Sequence, residues 1–143
     1  MILPITLTIA GAAALVNIWL MIRVGQVRTS EKVSVGDGGN EKVIRRMRAH
    51  ANYGESLPIV LILIAIIELA SGSPTWLWIV GGLYMLGRVA HGLGMDGGKL
   101  GKGRTVGTIL TLLVMLGLGG YAITIPYFSV TDASTSPAIV QPG

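Results

Sequence analysis

The sequence predicts an all-α integral membrane protein, a bundle of four transmembrane helices. Three observations predict it. Of 143 residues, 51% are hydrophobic and only 13% are charged, about half the charged share of a soluble domain. The mean hydropathy is +0.67. The apolar residues also fall into four long blocks separated by polar or glycine-rich stretches. Four bilayer-crossing helices with short connections need roughly 100 to 130 residues, so the length suits one domain. Such a chain is too apolar to be disordered. Cysteine is absent, which excludes disulfides, thiolate metal sites and a protein-borne thiol nucleophile.

The helices are expected at about 3–24, 42–70, 76–91 and 105–128, making residues 1–128 one transmembrane domain. The first block is free of charge up to Arg23. It is too long for the apolar core of a secretory signal and has no basic segment before it, so it reads as a retained helix. The stretches 29–41 and 92–103 are Gly-rich and charged and read as flexible loops. Ser71-Gly72-Ser73-Pro74 is a short turn between antiparallel neighbours. The tail 129–143 is polar, with two prolines, and is expected to be disordered.

The formal charge is +4 and the pI near 9.8, which in a soluble protein would suggest nucleic acid. Here the basic residues flank apolar spans, and membrane topology explains them without a nucleic-acid partner. All eleven Lys and Arg fall at the ends joined by the first and third connections. The positive-inside rule makes that face cytoplasmic and puts both termini outside.

The second helix carries the most informative pattern. Arg45, Arg48, Asn52 and Glu55 recur at three- and four-residue steps, within roughly an 80° arc of one face at about 100° per residue. The apolar run from Leu57 to Leu69 spans only about 20 Å, short of the roughly 30 Å hydrocarbon core. Part of the stripe therefore dips below the headgroups, where charges need partners. A basic patch for anionic lipid explains the cations but not the amide and carboxylate. Two cations, an amide and a carboxylate suit a zwitterionic ligand with several carboxylates and an amine. Pro58 is expected to kink the helix beyond the stripe, and His50 lies off the arc.

On the third helix Tyr84, Arg88, His91 and Met95 repeat at the same spacing. Arg88, inside a span, is expected to face inward and pair with an acid, with Glu55 as the plausible partner. Arg104-Thr105 opens the fourth helix. A helix N-terminus, a guanidinium and a hydroxyl together favour an anion, including a thiolate. A free thiol of pKa about 8.5 is only a few per cent ionised at pH 7, and lowering it by about two units ionises most of it. Gly98-Lys99 and Gly101-Lys102 lack the spacing of a phosphate loop. Two histidines and no cysteine point to no metal site.

Taken together, Gly25-Gln26-Val27-Arg28, the R-x-x-x-N-x-x-E pattern of Arg48–Glu55, Leu86-Gly87-Arg88-Val89-Ala90-His91 and Arg104-Thr105 resemble the MAPEG family. These are the membrane-associated proteins in eicosanoid and glutathione metabolism, and the likeness covers roughly residues 3–128. The resemblance implies a homotrimer that binds glutathione as co-substrate at each subunit interface. It implies that Arg48, Asn52 and Glu55 hold the tripeptide, with Arg28 contributing from the adjacent subunit, and that Arg88 and His91 line the same cavity. Arg104 matches the arginine that stabilises the thiolate, and Thr105 stands where one branch has serine. Met95 and Ser56 replace a tyrosine and an aromatic residue common in eicosanoid synthases. That points to a bacterial-type glutathione transferase or peroxidase of the inner membrane, with its site facing the cytoplasm and a lipophilic substrate arriving from the bilayer.

Two other functions compete. A non-catalytic binding or scaffold protein of the same fold would keep the stripe but not the thiol activation, and Met95 favours it. A proton-driven exporter needs a membrane-embedded carboxylate; the first helix has only Asn17 and no acid, and Glu68 lies close to the outer end of the second, which argues against it.

Overall fold

The computed structural model describes residues 2–135, with side chains as far as Phe128. Four helices follow one another: α1 (Pro4–Ser30), α2 (Glu41–Ser71), α3 (Thr75–Gly94) and α4 (Lys102–Thr135). No strand occurs among the described residues. Three stretches, Pro4–Ser30, Glu41–Ser71 and Gly98–Phe128, are long and apolar enough to cross a membrane. The 20 residues of α3 make a helix of about 30 Å, a full span in length, but Arg88 and His91 lower its hydropathy. Those two side chains are buried, so α3 keeps its polar groups inside the protein. The fourth helix extends to Thr135, so the first residues of the expected disordered tail are helical, and 136–143 lie outside the described residues.

Each helix end is satisfied by a particular device. Asn40 caps α2, its side-chain oxygen accepting from the Lys42 and Val43 N–H groups at 3.0 and 3.3 Å, as helix N-termini require. No side chain of its own caps α1. Glu68, at the far end of α2, takes that role. Its carboxylate accepts from Ile5 N at 2.9 Å, Thr6 N at 2.8 Å and Thr6 Oγ1 at 2.7 Å, and from Ser73 Oγ at 2.7 Å. A carboxylate at a helix N-terminus also meets the positive end of the helix dipole. Glu68 thus staples the start of α1 to the end of α2 and to the α2–α3 turn. The chain there is bent by Gly72, whose φ of 75° lies in the region that favours glycine.

Inside the bundle Ile5, Ile9 and Ala13 of α1 meet Val60, Ile64 and Ile67 of α2, Leu77 and Tyr84 of α3, and Leu118 of α4. Large apolar side chains such as Leu15, Ile62, Leu116 and Ile123 point outward, the expected distribution when the solvent is lipid.

The tightest packing is between α3 and α4. A Cβ placed on Gly94 would collide with the backbone N of Arg104, one on Gly107 with the carbonyl O of Gly87, and one on Gly103 would lie 2.5 Å from the Ala90 carbonyl O. Gly103 and Gly107 are four residues apart, the small-residue spacing that lets membrane helices touch backbone to backbone. The stretch 92–103, expected to be a loop, is thus largely ordered: α3 runs to Gly94, and a 3-10 turn, Gly98–Leu100, leads into α4. The first connection is also tied down, because Glu31 accepts from Asn40 Nδ2 and Lys42 Nζ, each at 2.8 Å. Those bonds hold the Glu31 carboxyl below its ordinary value, Lys42 contributing most. The contribution is present at neutral pH and is lost as acidification protonates the group.

Replacing Gly107 by Ala forces methyl against backbone, so thermal unfolding in detergent should show a loss of about 1–3 kcal/mol or more. Gly82→Ala, where nothing lies within 4 Å, should leave the midpoint unchanged or slightly raised.

Candidate functional site

Three helix stripes converge on one groove at the basic end of the bundle. From α2 come Arg48, Asn52, Glu55 and, deeper, Ile59; from α4 come Arg104, Thr108, Thr111, Leu112 and Met115; from α3 come Arg88, His91 and Met95. Each set recurs at three- and four-residue steps, so each lies on one helix face. The glycine contact between α3 and α4 brings His91 beside Gly107, on which a Cβ would lie 2.6 Å from the His91 Cβ. That leaves the outward stripe of α4 to face α2.

The groove divides into connected hollows. A cavity of about 300 Å³ is lined by Arg48, Asn52, Glu55, His91, Arg104 and Thr108. Toward the surface it meets a second, of about 340 Å³, which shares Arg48, Met95 and Arg104. Toward the middle of the bundle lies a third, of about 200 Å³, in which Arg88, Ser56 and Thr111 face Ile59, Leu112 and Met115. The hollows adjoin through these shared residues; the first, between the other two, is the most polar, and the innermost is walled mainly by apolar surface.

Arg88 forms its floor and is 1% exposed. The expected pairing with Glu55 does not occur. Instead Nη2 donates to Asn52 Oδ1 at 2.8 Å and Nη1 to Thr111 Oγ1 at 3.1 Å, and the guanidinium lies 5.8 Å from the Tyr53 ring centre. The reason is geometric: Asn52 is the member of the α2 stripe turned toward α3. Glu55, one turn on, makes no bond to Arg88, whose hydrogen bonds go to Asn52 and Thr111. Arg88 Nε and His91 Nδ1 are buried and make no hydrogen bond.

The outer groups of the groove contrast with the rest of the basic end. The side chains of Arg48, Glu55 and Arg104 make no hydrogen bond or ion pair to any described residue. A larger hollow of about 530 Å³ lies between the end of α1 and the start of α2. There each cation already has its acid: Lys42 with Glu31, Arg45 with Glu41, and Arg46 with Asp96. Arg23 also pairs with Asp96 while lying 4.8 Å over the Trp19 ring. That cluster ties α1, α2 and the α3–α4 connection together, and its charges are spent on one another.

The residues expected at a site are thus partly gathered. Arg48, Asn52, Glu55, Arg88, His91 and Arg104 line the groove. Arg28 does not: its guanidinium reaches Met47 Sδ at 3.3 Å and the Ser34 carbonyl at 3.5 Å, on the α1–α2 side. Thr105 is exposed and lines none of the three hollows. Its neighbour one turn on, Thr108, faces two of them. Thr108 and Thr111 escaped the sequence reading, although the i, i+4 step from Arg104 to Thr108 would have found the first. Glu68 is fully engaged as the cap of α1. Among the described residues, no three His, Asp or Glu side chains come together as a metal set.

The sequence profile of the MAPEG family matches residues 6–124. The chain belongs to the MAPEG family. Its relatives include an inner membrane protein, YecN, of Escherichia coli K12, 31% identical over 83 residues. YecN of Escherichia coli O6:H1 matches to the same extent. The aligned stretch covers 57% of this chain and 63% of each YecN, so the chain spans less than two thirds of the curated relatives it matches. MAPEG proteins are helical membrane bundles, and the family includes glutathione transferases and peroxidases.

In this MAPEG protein Thr111→Val keeps the side-chain shape and removes the acceptor of Arg88 Nη1. The stranded donor should lower unfolding stability by about 1–3 kcal/mol. Arg88→Met combined with Thr111→Val should cost less than the sum of the single changes in a double-mutant cycle.

Proposed function

We propose that the groove binds glutathione and activates its thiol for attack on a lipophilic electrophile or lipid hydroperoxide. The observation that carries this is the set of ionic groups without internal partners, Arg48, Glu55 and Arg104, around a cavity also lined by His91, whose Nδ1 is buried and unbonded, with the unbonded Nε of Arg88 in the adjoining hollow. Charges at a membrane helix surface need a partner, and a peptide with carboxylates and an amine supplies complementary ones. Arg48, Asn52 and Glu55 hold the peptide, with Arg88 and His91 behind them. Arg104, near the start of α4, holds the sulfur as thiolate through its charge and the helix dipole. A homotrimer closes the open side of the groove and brings Arg28 of a neighbouring copy to it. The basic end faces the cytoplasm, where glutathione enters, and both termini lie on the other side.

The chemistry is simple. The thiol proton leaves to water at the mouth. With an aryl halide, the sulfur lone pair forms the C–S bond as the carbon–halogen bond breaks and halide departs. With a hydroperoxide, sulfur takes the terminal oxygen as the O–O bond breaks, and the alkoxide picks up a proton. A second glutathione then converts the sulfenic acid to disulfide and water.

Purified protein should conjugate a small aryl halide or reduce a hydroperoxide above the spontaneous rate. Glutathione at a hundred times its Kd should stabilise the fold by about 2.7 kcal/mol in thermal shift. Arg104→Ala should lower kcat on the order of a hundredfold, the usual cost of losing one charge-stabilising donor, with a far smaller change in glutathione affinity. Absence of both turnover and stabilisation overturns the proposal. A second reading rests on Met95, which lines the cavity where family enzymes often carry tyrosine: a glutathione-binding protein without catalysis, marked by stabilisation without turnover.

A further inference from the structure

Two of the hollows share a wall made by Asn52, Glu55 and Thr108. On one side lie Arg48, His91 and Arg104, suited to a charged peptide. On the other lie Ile59, Leu112 and Met115, suited to an apolar molecule coming from lipid. A reaction between a sulfur held on the first side and an acceptor held on the second takes place at that wall. Whatever donates a hydrogen bond to the sulfur there is positioned by this junction.

Glu55, ionised, only accepts. The Asn52 amide oxygen accepts from Arg88, and its NH2 is a donor on the α2 side of the wall, across from Arg104. Thr108 carries a neutral hydroxyl one turn from Arg104 on the same face of α4, so a sulfur facing the guanidinium also meets this hydroxyl. The hydroxyl donates at present to the Arg104 carbonyl O at 2.9 Å, the local back-bond of a helical threonine. Its proton rotates freely about the C–O bond to reach a better acceptor. Thr105, about 100° around the helix from Arg104, lines neither hollow.

We propose that Thr108, on the wall common to the peptide-side and lipid-side hollows, is the catalytic hydroxyl that hydrogen-bonds the glutathione sulfur. This rests on the glutathione reading above. The hydroxyl keeps its own proton throughout and stabilises the thiolate by donation, while Arg104 supplies the charge.

The test is the pH dependence of kcat/KM for aryl halide conjugation, together with the ultraviolet absorbance of the bound thiolate, on the full chain in detergent. Thr108→Val should raise the thiolate midpoint by about one pH unit and, from a wild-type midpoint of about 6.5, lower the thiolate fraction and with it kcat at pH 7 about threefold, with the glutathione Kd within about twofold of wild type. Thr108→Ser should restore the midpoint. Thr124→Val removes an exposed hydroxyl that bonds only the Tyr121 carbonyl, and should leave rate and midpoint unchanged. If Thr108→Val does not fold, Thr108→Ala is read by the same midpoint. A wild-type midpoint in the hydroxyl-free variant overturns the assignment, as does a shift produced by Thr105→Val and not by Thr108→Val. Wild-type protein without turnover or thiolate signal overturns the glutathione reading, and this one with it. An active wild type beside an unshifted variant overturns this one alone.

Discussion

A guanidinium with no acid beside it sits in the middle of the bundle, and much of the site depends on how it is held. Burying a charge is costly unless hydrogen bonds replace its hydration. Arg88 meets that cost with Asn52 on α2, Thr111 on α4 and the face of Tyr53. Three helices are thereby fixed in rotation at one level. Because Asn52 bonds Arg88 from the edge of the groove, its stripe neighbours Arg48 and Glu55 line the same groove. Because Arg88 takes no carboxylate, its positive charge adds to Arg48 and Arg104, with Glu55 the one acid among them. The groove therefore carries an excess of positive charge.

That arrangement needs α3 and α4 to lie closer than side chains allow. Gly87, Gly94, Gly103 and Gly107 provide the approach. In lipid there is little hydrophobic gain in hiding one apolar helix against another, so close packing and hydrogen bonds do most of the holding. The Glu68 cap serves the opposite end in the same way, satisfying backbone donors that lipid cannot. It also gives this buried carboxylate a structural role, distinct from that of a proton-exchanging acid in an exporter.

The two large hollows at the basic end show why volume alone is a poor guide to function. In the one between α1 and α2 the cations are matched by acids of the same chain, so it works as a clasp between helices and the α3–α4 connection. In the groove, similar residue types lack such matches. The difference is one of reach: Arg45 reaches Glu41 one turn back along α2 and Arg46 reaches Asp96, whereas Arg48, although it shares a face with Glu55, makes no ion pair with a described residue.

Hydropathy alone determined the class, because four apolar blocks of spanning length have few places to go other than a bilayer. Helical periodicity determined the stripes, since residues three and four apart share a face whatever the tertiary contacts. Those two regularities made Arg48, Asn52, Glu55, Arg88, His91 and Arg104 legible as candidates. Pairing between helices was not legible. Whether Arg88 meets Glu55 or Asn52 depends on the relative rotation and depth of α2 and α3, which no local pattern encodes. Asp96 looked like part of a loop because its partners lie 50 and 73 residues away. The glycines after α3 looked like flexibility, because a missing side chain permits motion in solvent and close contact in a packed interface alike. Only the tertiary structure, by bringing backbone against backbone there, decided that these glycines are contacts and that Thr108 rather than Thr105 faces the groove.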